Sequence, residues 1–118
     1  MNEFRCNLLV IRSKEIERAA TFYEVLGMQF AKHQHGNGPE HLAAESPAQT
    51  FEIYPLADDS LPTTETRIGF VVTAIDEVFE KLLQAGGKKV SPPQQSPWGR
   101  RAVVRDPDGH RVEITAET

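Results

Sequence analysis

Arg12-Ser13-Lys14-Glu15-Ile16-Glu17-Arg18 opens a helical stretch that closes at Val25-Leu26-Gly27, and Val72-Thr73-Ala74-Ile75-Asp76-Glu77-Val78 opens another that closes at Ala85-Gly86-Gly87. The two run 59 positions apart, from Ile16 to Ile75 and from Gly27 to Gly86. Farther on, Phe51-Glu52-Ile53-Tyr54 and Val112-Glu113-Ile114-Thr115 match at a spacing of 61. A repeat of half the chain length means two copies of one small unit. It also sets two equivalent carboxylates, Glu52 and Glu113, on corresponding strands.

Working outward from the repeat, each unit is too short to bury a core alone, so the two should share one domain of 118 residues. Cys6 to Arg12 is an aliphatic run that reads as a strand. Ser13 is placed to cap the helix that follows, in which Ile16, Ala19, Ala20, Tyr23 and Leu26 share a face, and Gly27 stops it. Met28 to His35, His41 to Glu45 and Thr50 to Pro55 read as three strands separated by turns at Gly36-Asn37-Gly38-Pro39 and Ser46-Pro47. The first module, β-α-β-β-β, covers about residues 5–56. Ala57 to Glu65 has no periodicity and is a linker. The second module, about 66–117, repeats the order: a strand over Arg67 to Thr73 and a helix over Ile75 to Ala85, stopped by Gly86-Gly87. Lys88 to Ser91 follows as a short strand, then a Pro-rich loop, Pro92 to Gly99.

The closing hairpin can be read in register. Asp106-Pro107-Asp108-Gly109 suits a type I turn with a left-handed glycine, which pairs Asp106 with His110, Val104 with Val112 and Ala102 with Ile114. Those four apolar residues should cover the helix. Arg101, Val103, Arg105, Arg111, Glu113 and Thr115 then share the other face. By the repeat, Glu52 projects the same way, flanked by Thr50 and Tyr54.

Composition excludes several classes. A net charge of −4 with scattered basic residues argues against nucleic acid as a partner. The one cysteine, Cys6, allows no intrachain disulfide or CxxC site and reads as an inert small residue at the start of the first strand. No apolar run approaches a membrane span and Met1-Asn2-Glu3-Phe4-Arg5 lacks signal-peptide character, so a cytoplasmic location is expected and no membrane partner. No nucleophile elbow, P-loop or GxGxxG occurs.

These segments resemble the vicinal oxygen chelate superfamily of glyoxalase I, bleomycin-resistance proteins and extradiol dioxygenases. Leu8 to Arg12 with Ile16 to Met28, the hairpin Asp106 to Ile114 and the duplication carry the resemblance along essentially the whole chain. It implies an α+β fold of two tandem βαβββ modules whose curved mixed sheets form a cup around a small-molecule ligand. It also implies a homodimer, with the pocket assembled across two chains should modules be exchanged. Catalytic members hold a divalent metal (zinc, nickel, manganese or iron) on four cup-facing side chains. Glu52 and Glu113 occupy the two last-strand places, and Glu113 is also the candidate catalytic group. The first-strand places hold Leu8 (Asn7 if the strand slips by one) and Arg67, neither able to ligate a cation.

Two carboxylates a few Å apart in one partly buried cup repel by about 4 kcal/mol at an effective dielectric near 20. A cation, a proton or a basic group must offset that, and Arg67 is expected to take the cation's electrostatic role. Arg101 faces the same cup, where it can pair with Glu113 or bind an anionic substrate, and Tyr54 can offer its hydroxyl there. Trp98 either pins its loop or walls the ligand. His33, His35 and His41 read as surface or turn residues or, with Glu52, as a rearranged metal site, His41 being the first candidate. His110, at a hairpin tip, is expected to be solvated. Two functions follow: a binding protein with an incomplete standard metal site, metal-free or with an atypical metal, or a divalent-metal-dependent lyase, isomerase or dioxygenase acting on vicinal oxygens.

Overall fold

A computed structural model describes residues 2–117. The first module runs β1 (Leu8–Ser13), α1 (Ile16–Glu24), β2 (Ala31–His33), β3 (His41–Glu45) and β4 (Thr50–Pro55). The second runs β5 (Arg67–Val72), α2 (Ile75–Gln84), β6 (Lys88–Ser96), β7 (Gly99–Arg105) and β8 (Arg111–Ala116). Each module forms its own four-stranded mixed sheet, ordered β1-β4-β3-β2 and β5-β8-β7-β6. In both, the first strand pairs with the last in parallel and the remaining pairs are antiparallel. The fold is thus two tandem βαβββ modules.

Strand alternation gives each sheet one face toward its helix. Ile11, Phe51 and Ile53 from the first sheet and Ile68, Ala102, Val104, Val112 and Ile114 from the second are buried in one core with Ala19, Phe22 and Tyr23 of α1 and Ile75, Phe79 and Leu82 of α2. The modules meet through aromatic rings. Tyr23 and Phe51 lie 4.7 Å apart, and Phe70 of β5 is 6.2 and 6.3 Å from them. The last hairpin has the expected register, Val104 opposite Val112 and Ala102 opposite Ile114, and Gly109 takes φ +107° in its turn.

Five expectations need correcting. Ser13 does not cap α1; Glu15 holds that position without a side-chain bond, and the Ser13 hydroxyl instead accepts from the Glu15 N–H at 3.1 Å. The second strand is only three residues, because Met28 to Phe30 serve the core rather than a ladder. Cys6 precedes β1 and is exposed. β6 continues through Pro92 and Pro93 to Ser96, where a loop was expected. It is an outer strand whose pairing with β7 skips between Lys89, Ser91 and Gln94, so the prolines fall where no ladder N–H is needed.

His110 is the fifth. It is fully buried, because the linker folds over the hairpin tip: the Thr63 hydroxyl lies 2.6 Å from His110 Nε2 and accepts the Arg12 N–H at 2.9 Å. On its other side His110 Nδ1 donates to Asp106 at 2.8 Å. Asp106 also accepts from the Tyr23 hydroxyl at 2.6 Å and from the N–H groups of Asp108, Gly109 and His110 at 2.9 Å. One buried carboxylate therefore joins α1 of the first module to the last hairpin of the second.

Candidate functional site

The face of each sheet turned away from the helices carries the chemistry. Equivalent backbone slots hold Leu8 and Arg67, Val10 and Gly69, Glu52 and Glu113, Ala43 and Val103. In the second sheet Arg101 pairs with Thr115, the repeat equivalent of Tyr54, against which His41 stacks in the first. His41 and Arg101 are thus the same slot, each beside its module's glutamate.

On the second module Glu113 is clamped. Arg101 Nη2 donates to one carboxylate oxygen at 2.5 Å, and Arg67 donates to the other through Nε at 2.8 Å and through Nη2. Arg111 Nε lies 3.6 Å from that second oxygen with no hydrogen-bond partner of its own. Val103 sits buried directly across the strand. Burial pushes the Glu113 carboxyl up, but the hydrogen bonds from Arg101 and Arg67 outweigh it and hold the group below its ordinary value. Such a carboxylate is an ionised acceptor with both oxygens engaged, which makes it a weak base. Arg111 shares this face in the sequence reading, and its position two residues from Glu113 on one strand was the signal for its role.

On the first module His41 is 1% exposed and stacks flat on Tyr54, with ring centroids 4.0 Å apart. Its Nδ1 lies 3.3 Å from the Pro39 carbonyl, and its Nε2 has no hydrogen-bond partner, the Glu52 carboxylate standing 3.6 Å away. His33 lies directly across from His41 on the neighbouring strand. Arg12 covers the outer side of Tyr54 at 5.9 Å from its ring centroid.

Other residues stand apart. Trp98 is 72% exposed at the β6–β7 turn, which Ser96 closes by donating to the Gly99 carbonyl at 2.6 Å. Glu52 and Glu113 have separate neighbours, histidine for one and arginine for the other.

Among the described residues, two groups could hold a metal ion: His33, His35 and His41, and Asp106, Asp108 and His110. The second is a filled hydrogen-bond network: Asp108 accepts the Lys14 N–H at 2.9 Å, and Asp106 and His110 are bonded as described above. The four places that the resemblance assigns to metal ligands do not suit a cation here. Leu8 offers no donor atom, and the Arg67 guanidinium occupies Glu113. Among the described residues, no helix is long and apolar enough to cross a membrane.

A family model, the Glyoxalase/Bleomycin resistance protein/Dioxygenase superfamily, matches residues 5–114. A search of curated proteins gives no significant match. Among solved structures the chain resembles TnmS3, an antibiotic binding protein from Streptomyces sp. CB03234, at TM-score 0.77 and 22% identity over 100% of this chain and 99% of that one. It also resembles a hypothetical protein from S. aureus, at TM-score 0.76 and 22% identity over 99% and 95% of the two chains. A glyoxalase-related enzyme from Fulvimarina pelagi matches at TM-score 0.76 and 21% identity over 96% and 88%. At these identities the structural likeness speaks for the fold alone.

Proposed function

We propose a function from one established fact: this chain belongs to the Glyoxalase/Bleomycin resistance protein/Dioxygenase superfamily. It binds a small molecule that carries an anionic group, with the arginine face of the second module recognising the charge. The observation behind this reading is the double clamp of Arg67 and Arg101 on Glu113, at the place where a metal would otherwise sit. Three guanidinium groups face one carboxylate there, so the face keeps an excess of positive charge. Planar forks of this kind match a carboxylate, sulfonate or phosphate two bonds at a time. Glu113 holds the arginines in place rather than acting as a base.

The test uses an aromatic anion, 1-anilinonaphthalene-8-sulfonate, against the neutral N-phenyl-1-naphthylamine. The anion should bind more tightly, and Arg101→Gln should weaken it about tenfold, near 1.4 kcal/mol. Glu113→Gln should tighten it by a comparable factor, because the substitution frees two guanidinium groups and removes a negative charge. Equal binding of the two probes, or an Arg101→Gln protein that binds the anion unchanged, would overturn this reading.

The runner-up is a divalent-metal-dependent lyase, isomerase or dioxygenase. The unpartnered His41 Nε2 favours it, and turnover of a substrate with vicinal oxygens that requires added metal would establish it. Under either reading we expect a homodimer. Leu8 and Val71, 51% and 70% exposed, leave apolar area on the outward faces for a second copy to cover. Sedimentation equilibrium should give twice the 13.2 kDa chain mass; a species of 13.2 kDa at micromolar concentration would refute it.

A further inference from the structure

The first module carries a group of side chains that the arginine face does not use. His33 closes β2 and His41 opens β3, and the antiparallel register sets them directly opposite each other. His35 follows two residues after His33, in a turn closed by the Gly38 N–H donating to the His35 carbonyl at 2.9 Å. The three ring centroids lie 5.3, 5.9 and 6.2 Å apart. One ligand-capable atom from each lies within 4.8 Å of the others. Three imidazoles around a tetrahedral zinc, with Zn–N near 2.1 Å, hold their nitrogens about 3.4 Å apart. Closing that difference requires rotation of the half-buried His33 and exposed His35 rings. His41, the buried one, supplies the fixed point.

The second observation is electrostatic. Nδ1 of His41 lies 3.3 Å from the Pro39 carbonyl, which can only accept, so the neutral tautomer with its proton on Nδ1 satisfies that contact and leaves Nε2 as an acceptor. His41 Nε2 is buried, has no hydrogen-bond partner, and stands 3.6 Å from an oxygen of Glu52. In that tautomer two acceptors face each other, the His41 nitrogen buried and the Glu52 carboxylate half-buried, and a cation between or beside them satisfies both. The carbonyl on one ring nitrogen, with the other left free, is also how proteins orient a metal-binding imidazole. Stacking on Tyr54 holds the ring plane.

We propose that His33, His35 and His41, with Glu52 as the adjacent carboxylate, form a site for a borderline divalent transition-metal ion, zinc first. Imidazole with one carboxylate suits zinc, copper or nickel better than magnesium or calcium. The three histidines lie on β2, on β3 and in the turn between them, none on β1 or β5, so this site shares only Glu52 with the place that the resemblance assigns to the superfamily's metal. It stands or falls independently of the arginine face.

The experiment titrates untagged, chelator-treated protein with Zn²⁺ by calorimetry and with Co²⁺ by visible absorption. The expected result is one equivalent of Zn²⁺ with Kd of about 1 µM or below, and d–d bands of a low-symmetry, nitrogen-rich Co²⁺ site. His35→Ala changes an exposed turn residue, so the fold should survive, and it should weaken Zn²⁺ at least tenfold. Glu52→Gln should weaken it as well, while Asp108→Asn in the other candidate group should leave it unchanged. His41→Ala removes a buried ring, so its loss of binding counts only if its far-ultraviolet dichroism matches the parent. No saturable Zn²⁺ binding, or binding that His33→Ala and His35→Ala leave intact, would overturn the proposal.

Discussion

Replacing Asp106 with alanine should cost about 4 kcal/mol of folding stability, among the largest effects of any single change in this chain. The side chain is 2% exposed and accepts from five donors: the Tyr23 hydroxyl, His110 Nδ1 and three successive backbone N–H groups. Alanine leaves them buried with nothing to accept their hydrogens, and no space for water to replace every bond. Asp106→Asn keeps one carbonyl oxygen and should cost less. Urea denaturation measures both, and an Asp106→Ala protein within 1 kcal/mol of the parent would show that the network is not structural.

The same network sets the pH range of the fold. Burial raises the Asp106 carboxyl, but hydrogen bonds from His110 and Tyr23 outweigh it, and its pKa in the folded state lies below the ordinary 3.8. A depressed pKa stabilises the folded state above pH 3.8, and that contribution is lost as pH falls through the folded value. Tyr23 moves the other way. Burial first, then the neighbouring Asp106 charge, raise its hydroxyl well above 10.0. Its contribution is fully present below pH 10.0 and is lost as pH rises beyond that toward the folded value. Tyr23→Phe should therefore flatten the alkaline limb of the stability curve and, by removing one of the hydrogen bonds that hold Asp106 down, also make the acid limb shallower while His110 keeps part of it.

Gly87→Ala is the second large effect. A methyl group at Gly87 would lie 2.7 Å from the Leu82 carbonyl oxygen, 2.8 Å from a Phe22 ring carbon and 3.3 Å from the Arg105 carbonyl oxygen. Two of these are backbone atoms, so the strain cannot be relieved by turning a side chain. α2, α1 and β7 meet at this point, and we expect a loss of about 3 kcal/mol. Gly27→Ala provides the contrast. That glycine has φ +99° but nothing within 4 Å of the added carbon, so only the left-handed backbone term remains, roughly 1–2 kcal/mol. Equal losses at the two positions would refute the crowding argument.

The contrast shows what the sequence could and could not convey. Gly27 and Gly86 stand at matching places in the repeat, and each has a positive φ at its helix end, as a local stop signal requires. Part of the crowding at Gly87 comes from Phe22 of the other module and from Arg105 of β7, which no local pattern contains. Hairpin register was legible because a proline, a glycine and alternating valines are all local signals. The burial of His110 is not legible locally, because the residue that covers it, Thr63, is 47 positions away in a segment without periodicity. The full length of β6 is hidden because Pro92 and Pro93 forbid a central strand, and the sequence does not say which strand is outermost. Of the site, Arg67, Arg101 and Glu113 were placed on one face by counting alone. The burial of His41, and the empty bonding position it keeps, needed the fold.

The two far edges of the sheets have a further consequence. β2 offers only three residues, and β6 offers two prolines and a broken ladder, so neither presents the row of free N–H and C=O groups on which another extended chain can grow. Sheets that end this way are poor seeds for fibrils. The prolines that obscured β6 in the sequence thus protect the protein, once folded, against aggregation along that edge.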